Sequence, residues 1–161
     1  MNPNPLLTWE ELTERLDERR KRGEKIVTTN GVFDVLHVGH TRYLQQARAL
    51  GDVLVVGINT DACTRRLKGE TRPFVPEAER AELLLALRCV DYVTLFDDAT
   101  PVRLLEALRP DIHTKGGDYD VEALPETPIV RGHGGRVVIL PFTAGHSTTD
   151  LTERILNSQQ K

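Results

Sequence analysis

The stretch TNGVFDVLHVGH, residues 29–40, follows a short β-branched run and leads into a helix-like pattern, which predicts a strand, a turn and a helix start. His37 and His40 are three positions apart and therefore share one face of the first helical turn. The unpaired backbone N–H groups and the dipole at a helix start favour an anion, and we expect a phosphate. Gly39 lacks a Cβ, which lets a ligand approach the backbone closely. We interpret the stretch as a phosphate cradle with two imidazole donors.

Two other roles are open to a histidine pair at this spacing, namely metal binding and capping or packing without a ligand. Zinc would need further ligands, and the other histidines and both cysteines are scattered singly, without a second paired spacing. We therefore predict a phosphate site and no metal site. The scattered residues are Cys63, Cys89, His113, His133 and His146.

The length of 161 residues suits one well-filled α/β domain. Hydrophobic residues make up 39% of the chain and charged residues 28%, which is typical of a globular protein. We expect a single domain over residues 1–161, with an N-terminal helix at 8–22 and a core at 25–156.

The formal charge of −3 gives no general attraction to nucleic acid. A basic run at 19–22 could favour nucleic acid, but at a helix C-terminus it complements the dipole and is usually a solvated face. No apolar run approaches the roughly 18 residues of a membrane span, and the N-terminus lacks a signal pattern. The two cysteines have no CxxC spacing, which favours a reducing compartment. We expect a cytoplasmic protein without nucleic-acid or membrane partners.

Apolar runs and helical patterns alternate along the chain. The run at 53–58 is apolar on both faces, as in a parallel strand that helices cover. The pattern predicts an α/β fold, a single Rossmann-like domain with a five-stranded parallel sheet flanked by helices. Neither GxGxxG nor GxxxxGK[ST] occurs, which argues against an NAD-type dinucleotide fold and a P-loop kinase. Strands are predicted at 25–29, 53–58, 92–96, 112–115 and 136–140, and helices at 8–22, from the histidine pair to 50, at 61–67, 76–88, 101–108 and 129–131, and after 147.

Charged residues next to glycines follow two of these elements. Lys68 begins a basic loop at 68–73, where it could reach a ligand or remain a solvated surface charge. The stretch KGGDY, residues 115–119, follows the fourth strand and could be a plain glycine turn. Ligands of open parallel sheets bind outside the carboxyl ends of the strands, which favours a functional role for 115–119.

The stretch GHSTT, residues 145–149, precedes the last helix. Ser147 and Asp150 have capping-box-like spacing, but capping explains only one of the three hydroxyls. A Ser-Thr-Thr cluster at a helix start offers hydroxyls and backbone N–H groups to phosphate, and simple capping remains the alternative.

The HVGH motif at 37–40 resembles the first signature of the nucleotidylyltransferase superfamily, and the Ser-Thr-Thr cluster at 147–149 resembles its second signature. The intervening LKG at 67–69 and RP at 72–73, together with KGGDY and GHSTT, are similar to the heptose 1-phosphate adenylyltransferase branch, which is found alone or fused to a sugar kinase. The resemblance extends over residues 8–156.

From this resemblance we expect His37, His40 and Lys68 to be catalytic, contacting nucleotide phosphates and neutralising their charge. The resemblance also implies two further sets of binding residues. Those expected to bind nucleotide are Thr29, Phe33, Gly39, Gly145, Ser147, Thr148 and Thr149, and those expected to bind substrate are Arg80, Lys115, Gly117 and Asp118.

The implied reaction is transfer of AMP from ATP to a sugar 1-phosphate, D-glycero-β-D-manno-heptose 1-phosphate, with Mg²⁺ shielding the triphosphate. A sugar phosphate is already an anionic nucleophile, so positioning and charge stabilisation suffice. Relatives that use CTP have an arginine before the second signature, where this chain reads FTAG at 142–145. The alternatives are a cytidylyltransferase acting on a polyol or alcohol phosphate such as glycerol 3-phosphate, and a non-catalytic nucleotide-binding module. The expected partners are ATP and the sugar phosphate, with a homodimer left open.

Overall fold

Five runs rich in β-branched and apolar residues form the strands of one parallel sheet in the computed structural model, which describes residues 6–141 and 145–158. The strands begin and end within two residues of their predicted positions, so the predicted five-stranded parallel sheet is confirmed. The strands are β1 (Ile26–Gly31), β2 (Val53–Asn59), β3 (Tyr92–Phe96), β4 (Ile112–Gly116) and β5 (Arg136–Leu140).

Seven α-helices occur in the described residues, and they lie between and beside the strands as the alternating pattern predicts. A short 3₁₀ turn at Val121–Ala123 follows β4. The helices are α1 (Trp9–Lys21), α2 (Val38–Arg48), α3 (Asp61–Lys68), α4 (Glu77–Leu85), α5 (Val102–Leu108), α6 (Glu126–Gly132) and α7 (Thr148–Ser158).

The helix boundaries differ from the predictions by up to three residues, and three of these differences concern the site or have a clear local cause. Lys68 is the last residue of α3 and does not belong to the loop that follows it. Helix α4 ends at Leu85, three residues before the predicted 88, because the chain tightens into turns that lead to β3. Helix α6 starts at Glu126, earlier than the predicted 129, because Pro128 lies in the first turn, where a helix does not need its N–H.

The sheet is buried on both faces because successive side chains of each strand point in opposite directions. Ile26 of β1 packs in the cluster that includes Leu12 of α1 and Leu104 of α5, whereas Val27 packs in the cluster that includes Leu44 of α2. All seven residues of β2 are buried. The apolar run that predicted a covered parallel strand therefore lies at the centre of the core.

The strand order β3-β2-β1-β4-β5 places the first strand in the middle of the sheet. The chain runs from β1 outward to β3 and then returns to the other side of β1 for β4 and β5. The connections after β1 and after β4 consequently diverge, which opens a crevice at the carboxyl ends of these two strands. None of the helices among the described residues is long and apolar enough to cross a membrane.

Candidate active site

A cavity of about 790 Å³ occupies this crevice. Its wall is built from the end of β1, the start of α2, the end of α3, the end of β4 and the start of α7. The predicted site residues that line it are Phe33, His37, Gly39, His40, Lys68, Lys115, Gly145, Ser147, Thr148 and Thr149. The fold thus brings together segments that are more than 100 residues apart in the sequence.

The two imidazoles are held by the backbone of the first turn of α2. His37 is the N-cap residue, and its Nδ1 accepts a hydrogen bond from the Gly39 N–H at 3.1 Å. Nδ1 of His40 accepts from the His37 N–H at 3.4 Å. Since both Nδ1 atoms accept, the proton of each neutral ring resides on Nε2. Each imidazole can therefore donate one hydrogen bond from Nε2.

The environment keeps His40 uncharged near neutral pH. Burial is the main cause that lowers its pKa to about 4, and the nearby His37 and Lys68 add to the effect. Burial, followed by the nearby His146, also lowers the pKa of His37. The pair therefore meets an incoming anion as two neutral N–H donors, and a bound phosphate would favour their protonation.

The absence of a side chain at Gly39 serves the packing of the site itself. A Cβ there would lie 2.9 Å from the backbone oxygen of His146 and 2.9 Å from the His37 ring. Both contacts are closer than carbon atoms tolerate, so a larger residue would displace either the imidazole or the segment before α7. Close approach of a ligand at Gly39 stays a prediction, whereas the structure shows that this glycine lets two walls of the cavity meet.

Two lysines flank β1 from opposite sides. Lys68 lies on the β2 side, where burial, followed by the charge of Arg72, lowers its pKa. Lys115 lies on the β4 side, where its Nζ donates to the Glu126 carboxylate at 2.6 Å and lies 5.3 Å from the centroid of the Tyr119 ring. The cavity therefore has one ammonium group on each side of the histidine pair.

The start of α7 contributes the second signature. The Ser147 hydroxyl accepts a hydrogen bond from the Asp150 N–H at 3.0 Å, so Ser147 caps the helix as the spacing predicted. Thr148 and Thr149 occupy the first turn of α7 and line the same cavity as the histidine pair. Residues 142–144, which carry the departure from the arginine of CTP-using relatives, lie outside the described residues.

A buried ion pair that no sequence motif predicted, between Asp34 and Arg72, closes one side of the cavity. Asp34 is 3% exposed and accepts hydrogen bonds from the backbone N–H groups of Phe74 at 2.8 Å and Val75 at 2.9 Å. Its carboxylate also pairs with Arg72 at 2.6 Å. Burial alone would raise the pKa of Asp34, but these three donors outweigh it and lower the pKa. The only sequence signal was a charged residue within an otherwise apolar turn.

Thr29 was predicted to bind nucleotide, but it is buried in the core and does not line the cavity. The residue is 1% exposed, and its hydroxyl lies 2.7 Å from the Tyr43 hydroxyl and 3.2 Å from the Thr114 carbonyl oxygen. The position along β1 explains the error, because both faces of this strand are covered up to Thr29 and only the residues after it reach the carboxyl end. Thr29 therefore joins α2 to the sheet.

Arg80 was predicted to bind substrate, and the structure makes it a core residue instead. It has no exposed surface. Its guanidinium donates to the backbone carbonyls of Val75 at 2.9 Å and Val32 at 2.6 Å. It also donates to the Asn59 carbonyl at 2.9 Å and pairs with Asp61 at 2.7 Å. Arg80 thus ties α4 to the ends of β1 and β2, beneath the cavity.

Gly117 and Asp118 lie outside the cavity wall as the described residues define it. The Gly117 N–H donates to the Leu140 carbonyl at 3.0 Å and its φ is +126°, so this glycine shapes the turn after β4. The Asp118 side chain is exposed. From the KGGDY stretch, the cavity wall takes Lys115, Gly116 and Tyr119.

Among the described residues, no three His, Cys, Asp or Glu side chains converge as a metal cage would require. Asp34, which lines the cavity, is already engaged by Arg72 and two backbone N–H groups. The site instead offers lysines, imidazole N–H groups and a helix start, which are groups that bind phosphate.

Comparison with known proteins gives a consistent result. The family model described as cytidylyltransferase-like matches residues 28–154. Bifunctional protein HldE of Citrifermentans bemidjiense is 54% identical over 147 residues, which cover 91% of this chain. Bifunctional protein HldE of Syntrophotalea carbinolica is 51% identical over 152 residues, which cover 94% of this chain. The chain spans 30% and 31% of the lengths of these two relatives.

A solved structure is similar to this chain over nearly its whole length, unlike the two relatives above. The lipopolysaccharide core biosynthesis protein from Thermoplasma volcanium has 32% identity and a TM-score of 0.62, and the match covers 75% of this chain and 98% of that one. The family match begins in β1 and ends in α7, so it includes both signatures and every wall of the cavity. The chain belongs to the cytidylyltransferase-like family of nucleotidyltransferases.

Proposed function

We propose that this protein transfers AMP from ATP to a sugar 1-phosphate, D-glycero-β-D-manno-heptose 1-phosphate, and forms an ADP-heptose and pyrophosphate. The observation that carries the proposal is the arrangement of two neutral Nε2–H donors between two lysines at the switch point of the sheet. Such a site is complementary to a polyphosphate, whose charge is spread over several oxygens.

The reaction needs no nucleophile from the protein. An oxygen of the sugar phosphate attacks the α-phosphorus of ATP, and the bond from that phosphorus to the bridging oxygen breaks, so that pyrophosphate leaves with the electron pair. His37 and His40 would donate hydrogen bonds to the phosphate oxygens that gain charge. Lys68 would neutralise the leaving pyrophosphate, and Lys115 would bind the phosphate of the sugar.

Magnesium would enter with the nucleotide. Mg²⁺ keeps most of its ligands from water and substrate phosphates and needs only one or two protein carboxylates. Two carboxylates line the cavity, namely Asp34, which Arg72 already engages, and Asp150 at the start of α7, so that phosphate oxygens and water would supply most of the ligands. The ion would shield the triphosphate while the residues of the chain position it.

The choice of base and sugar rests on sequence similarity. KGGDY and GHSTT resemble the heptose 1-phosphate adenylyltransferase branch, and relatives that are identical to this chain at about half of the aligned positions are named HldE. The family description itself refers to cytidylyl transfer. No arginine precedes the second signature at 142–145, and phenylalanine cannot donate the charge-assisted hydrogen bonds of an arginine. We therefore expect adenine to be preferred.

The test is pyrophosphate release on mixing the protein with Mg²⁺, heptose 1-phosphate and either ATP or CTP, with kcat/KM measured for both nucleotides. ATP should be preferred. A clear preference for CTP, or for glycerol 3-phosphate over the heptose phosphate, would replace the adenylyl assignment by a cytidylyl one. Nucleotide binding without pyrophosphate release from any of these pairs would instead indicate a binding module.

A further inference from the structure

Two buried polar atoms directly behind Lys115 lack a hydrogen-bond partner in the described part of the chain. They are Nε2 of His113 and Oε2 of Glu126. Both side chains have no exposed surface. Since buried polar groups are almost always hydrogen-bonded, two unpaired atoms at one place call for an explanation. An unpaired buried carboxylate oxygen destabilises the fold, and natural proteins keep such destabilising features mainly at functional sites.

Both residues are neighbours of Lys115. Oε1 of Glu126 accepts the hydrogen bond from the Lys115 Nζ at 2.6 Å. His113 precedes Lys115 by two positions on β4, so the two side chains point to the same face of the sheet. The negative charge of Glu126 acts on His113, where it opposes the effect of burial.

The two unpaired atoms are complementary. Nδ1 of His113 lies 2.8 Å from the Thr28 hydroxyl, and a hydroxyl that donates to Nδ1 leaves the ring proton on Nε2. Burial lowers the pKa of His113 to about 4, so the ring is neutral near pH 7. Nε2 of His113 is then a donor without an acceptor, and Oε2 of Glu126 is an acceptor without a donor.

We propose that His113 and Glu126 form a buried positioning pair, bridged by one water molecule between Nε2 and Oε2, that holds the Lys115 ammonium against the phosphate of the acceptor sugar. The proposal rests on the proposed function, because it takes the acceptor to be a sugar 1-phosphate. His113 and Glu126 touch no substrate in this arrangement; they act through Lys115.

A lysine that binds a ligand at this position binds it more tightly if its side chain is already ordered. Its four-carbon side chain loses rotamer freedom when it binds a ligand, and that loss weakens binding unless the side chain is already ordered. Glu126 takes one of the three N–H donors of the ammonium, and the side chain stays 26% exposed toward the cavity. Two donors are left for a phosphate on the β4 side, opposite Lys68 on the β2 side.

The test is calorimetric binding of heptose 1-phosphate to the full chain, without nucleotide and therefore without turnover. Glu126→Gln keeps the shape of the side chain but removes its charge, and we expect binding to weaken about tenfold, as loss of a charge-assisted hydrogen bond to the ammonium predicts. The affinity for ATP should stay within about twofold of the wild-type value, because Lys115 is assigned to the acceptor. A general structural defect would instead weaken the binding of both ligands.

The matched control is Glu122→Gln. Glu122, in the 3₁₀ turn before α6, forms an ion pair with Arg131 of α6 at 2.5 Å, but its side chain is 67% exposed and has no hydrogen bond to Lys115 among the described residues. The affinity of this variant for the sugar phosphate should equal that of the wild type. In the double variant Lys115→Met/Glu126→Gln, binding should be no weaker than in Lys115→Met alone, since Glu126 acts only through the lysine.

The variant His113→Phe provides a second test, because its phenyl ring occupies a similar space but has no hydrogen-bond donor. We expect sugar-phosphate binding to weaken about threefold, as loss of one neutral hydrogen bond predicts. Unchanged affinity in folded Glu126→Gln would overturn the proposal, as would unchanged affinity in His113→Phe if Glu126→Gln does not fold. A wild type that does not bind the sugar phosphate would also overturn it. If the expected binding pattern occurs without pyrophosphate release, the positioning pair stands and the proposed function fails.

Discussion

The rings of His37 and His40 are stacked, with their centroids 3.9 Å apart and their planes 25° from parallel. Both Nδ1 atoms accept backbone N–H groups of the first turn of α2, which leaves both Nε2 atoms as donors. Phe33 packs against His40 with a centroid distance of 5.2 Å and adds to the burial of that ring. The stacking is compatible with two neutral rings, whereas two charged imidazoles at this distance would repel each other.

Replacing His40 by alanine should lower kcat by about 10²-fold or more, because the variant loses a donor to the phosphate that gains charge. The assay is pyrophosphate release under saturating substrates. Far-UV circular dichroism and the urea midpoint should stay close to the wild type, since the ring is a wall of the cavity.

His133→Ala is the control for that experiment. His133 lies in the loop before β5, and its Nε2 lies 3.0 Å from the Pro110 carbonyl oxygen, away from the cavity. Its turnover should match the wild type. A folded His40→Ala variant with near-normal turnover would rule out the catalytic role of His40.

The buried histidines should make the fold sensitive to acid. In the folded chain the pKa of His113 is lowered to about 4 by burial, from an ordinary value of 6.5. Between these values the unfolded chain binds a proton that the folded chain does not, so stability falls as pH decreases from 6.5 toward 4. The slope for one such group reaches about 1.4 kcal/mol per pH unit.

Urea unfolding of the wild type and of His113→Phe at several pH values between 4 and 7.5 measures this contribution. The variant should show a shallower loss of unfolding free energy over that range, because it lacks the group that takes up the proton on unfolding. His40→Ala should reduce the slope in the same direction, since the pKa of His40 is also lowered to about 4. Parallel pH profiles in all three proteins would contradict the assignment.

Asp34→Asn should destabilise the protein by about 3 kcal/mol, because it leaves Arg72 without its counter-charge in a site where Asp34 is 3% exposed. The unfolding free energy from urea titration is the measurement. The control is Glu18→Gln, which breaks the exposed pair with Lys21 and should leave the urea midpoint unchanged. Equal midpoints for both variants and the wild type would mean that the buried pair does not hold the segment at 72–75.

Arg80→Met should destabilise the protein by about 3 kcal/mol or more, because it removes the donors to three backbone carbonyls and the partner of Asp61. In the folded fraction, KM for the sugar phosphate should remain near the wild-type value. A stable variant with a raised KM for the sugar phosphate would instead support the substrate-binding role that the sequence analysis had predicted.

The sequence alone determined the succession of strands and helices along the chain, because hydrophobic periodicity and helix caps act over a few residues. The capping box of α1, in which Thr8 accepts from the Glu11 N–H and the Glu11 carboxylate accepts from the Thr8 N–H, follows directly from local spacing. The pairing of His37 and His40 on one turn is local in the same way. The same periodicity predicted the covered strand at 53–58, which the structure shows at Val53–Asn59.

The tertiary structure alone decided which polar side chains face the cavity and which lie in the core. Arg80 and Asp61 are 19 positions apart, and Asp34 and Arg72 are 38 positions apart, so no local pattern reveals either pair. Thr29 differs from the cavity residues that follow it only by its place on the strand. Folding decides these roles because a charged group is buried only where distant segments supply its partners, and those partners meet only once the sheet has assembled.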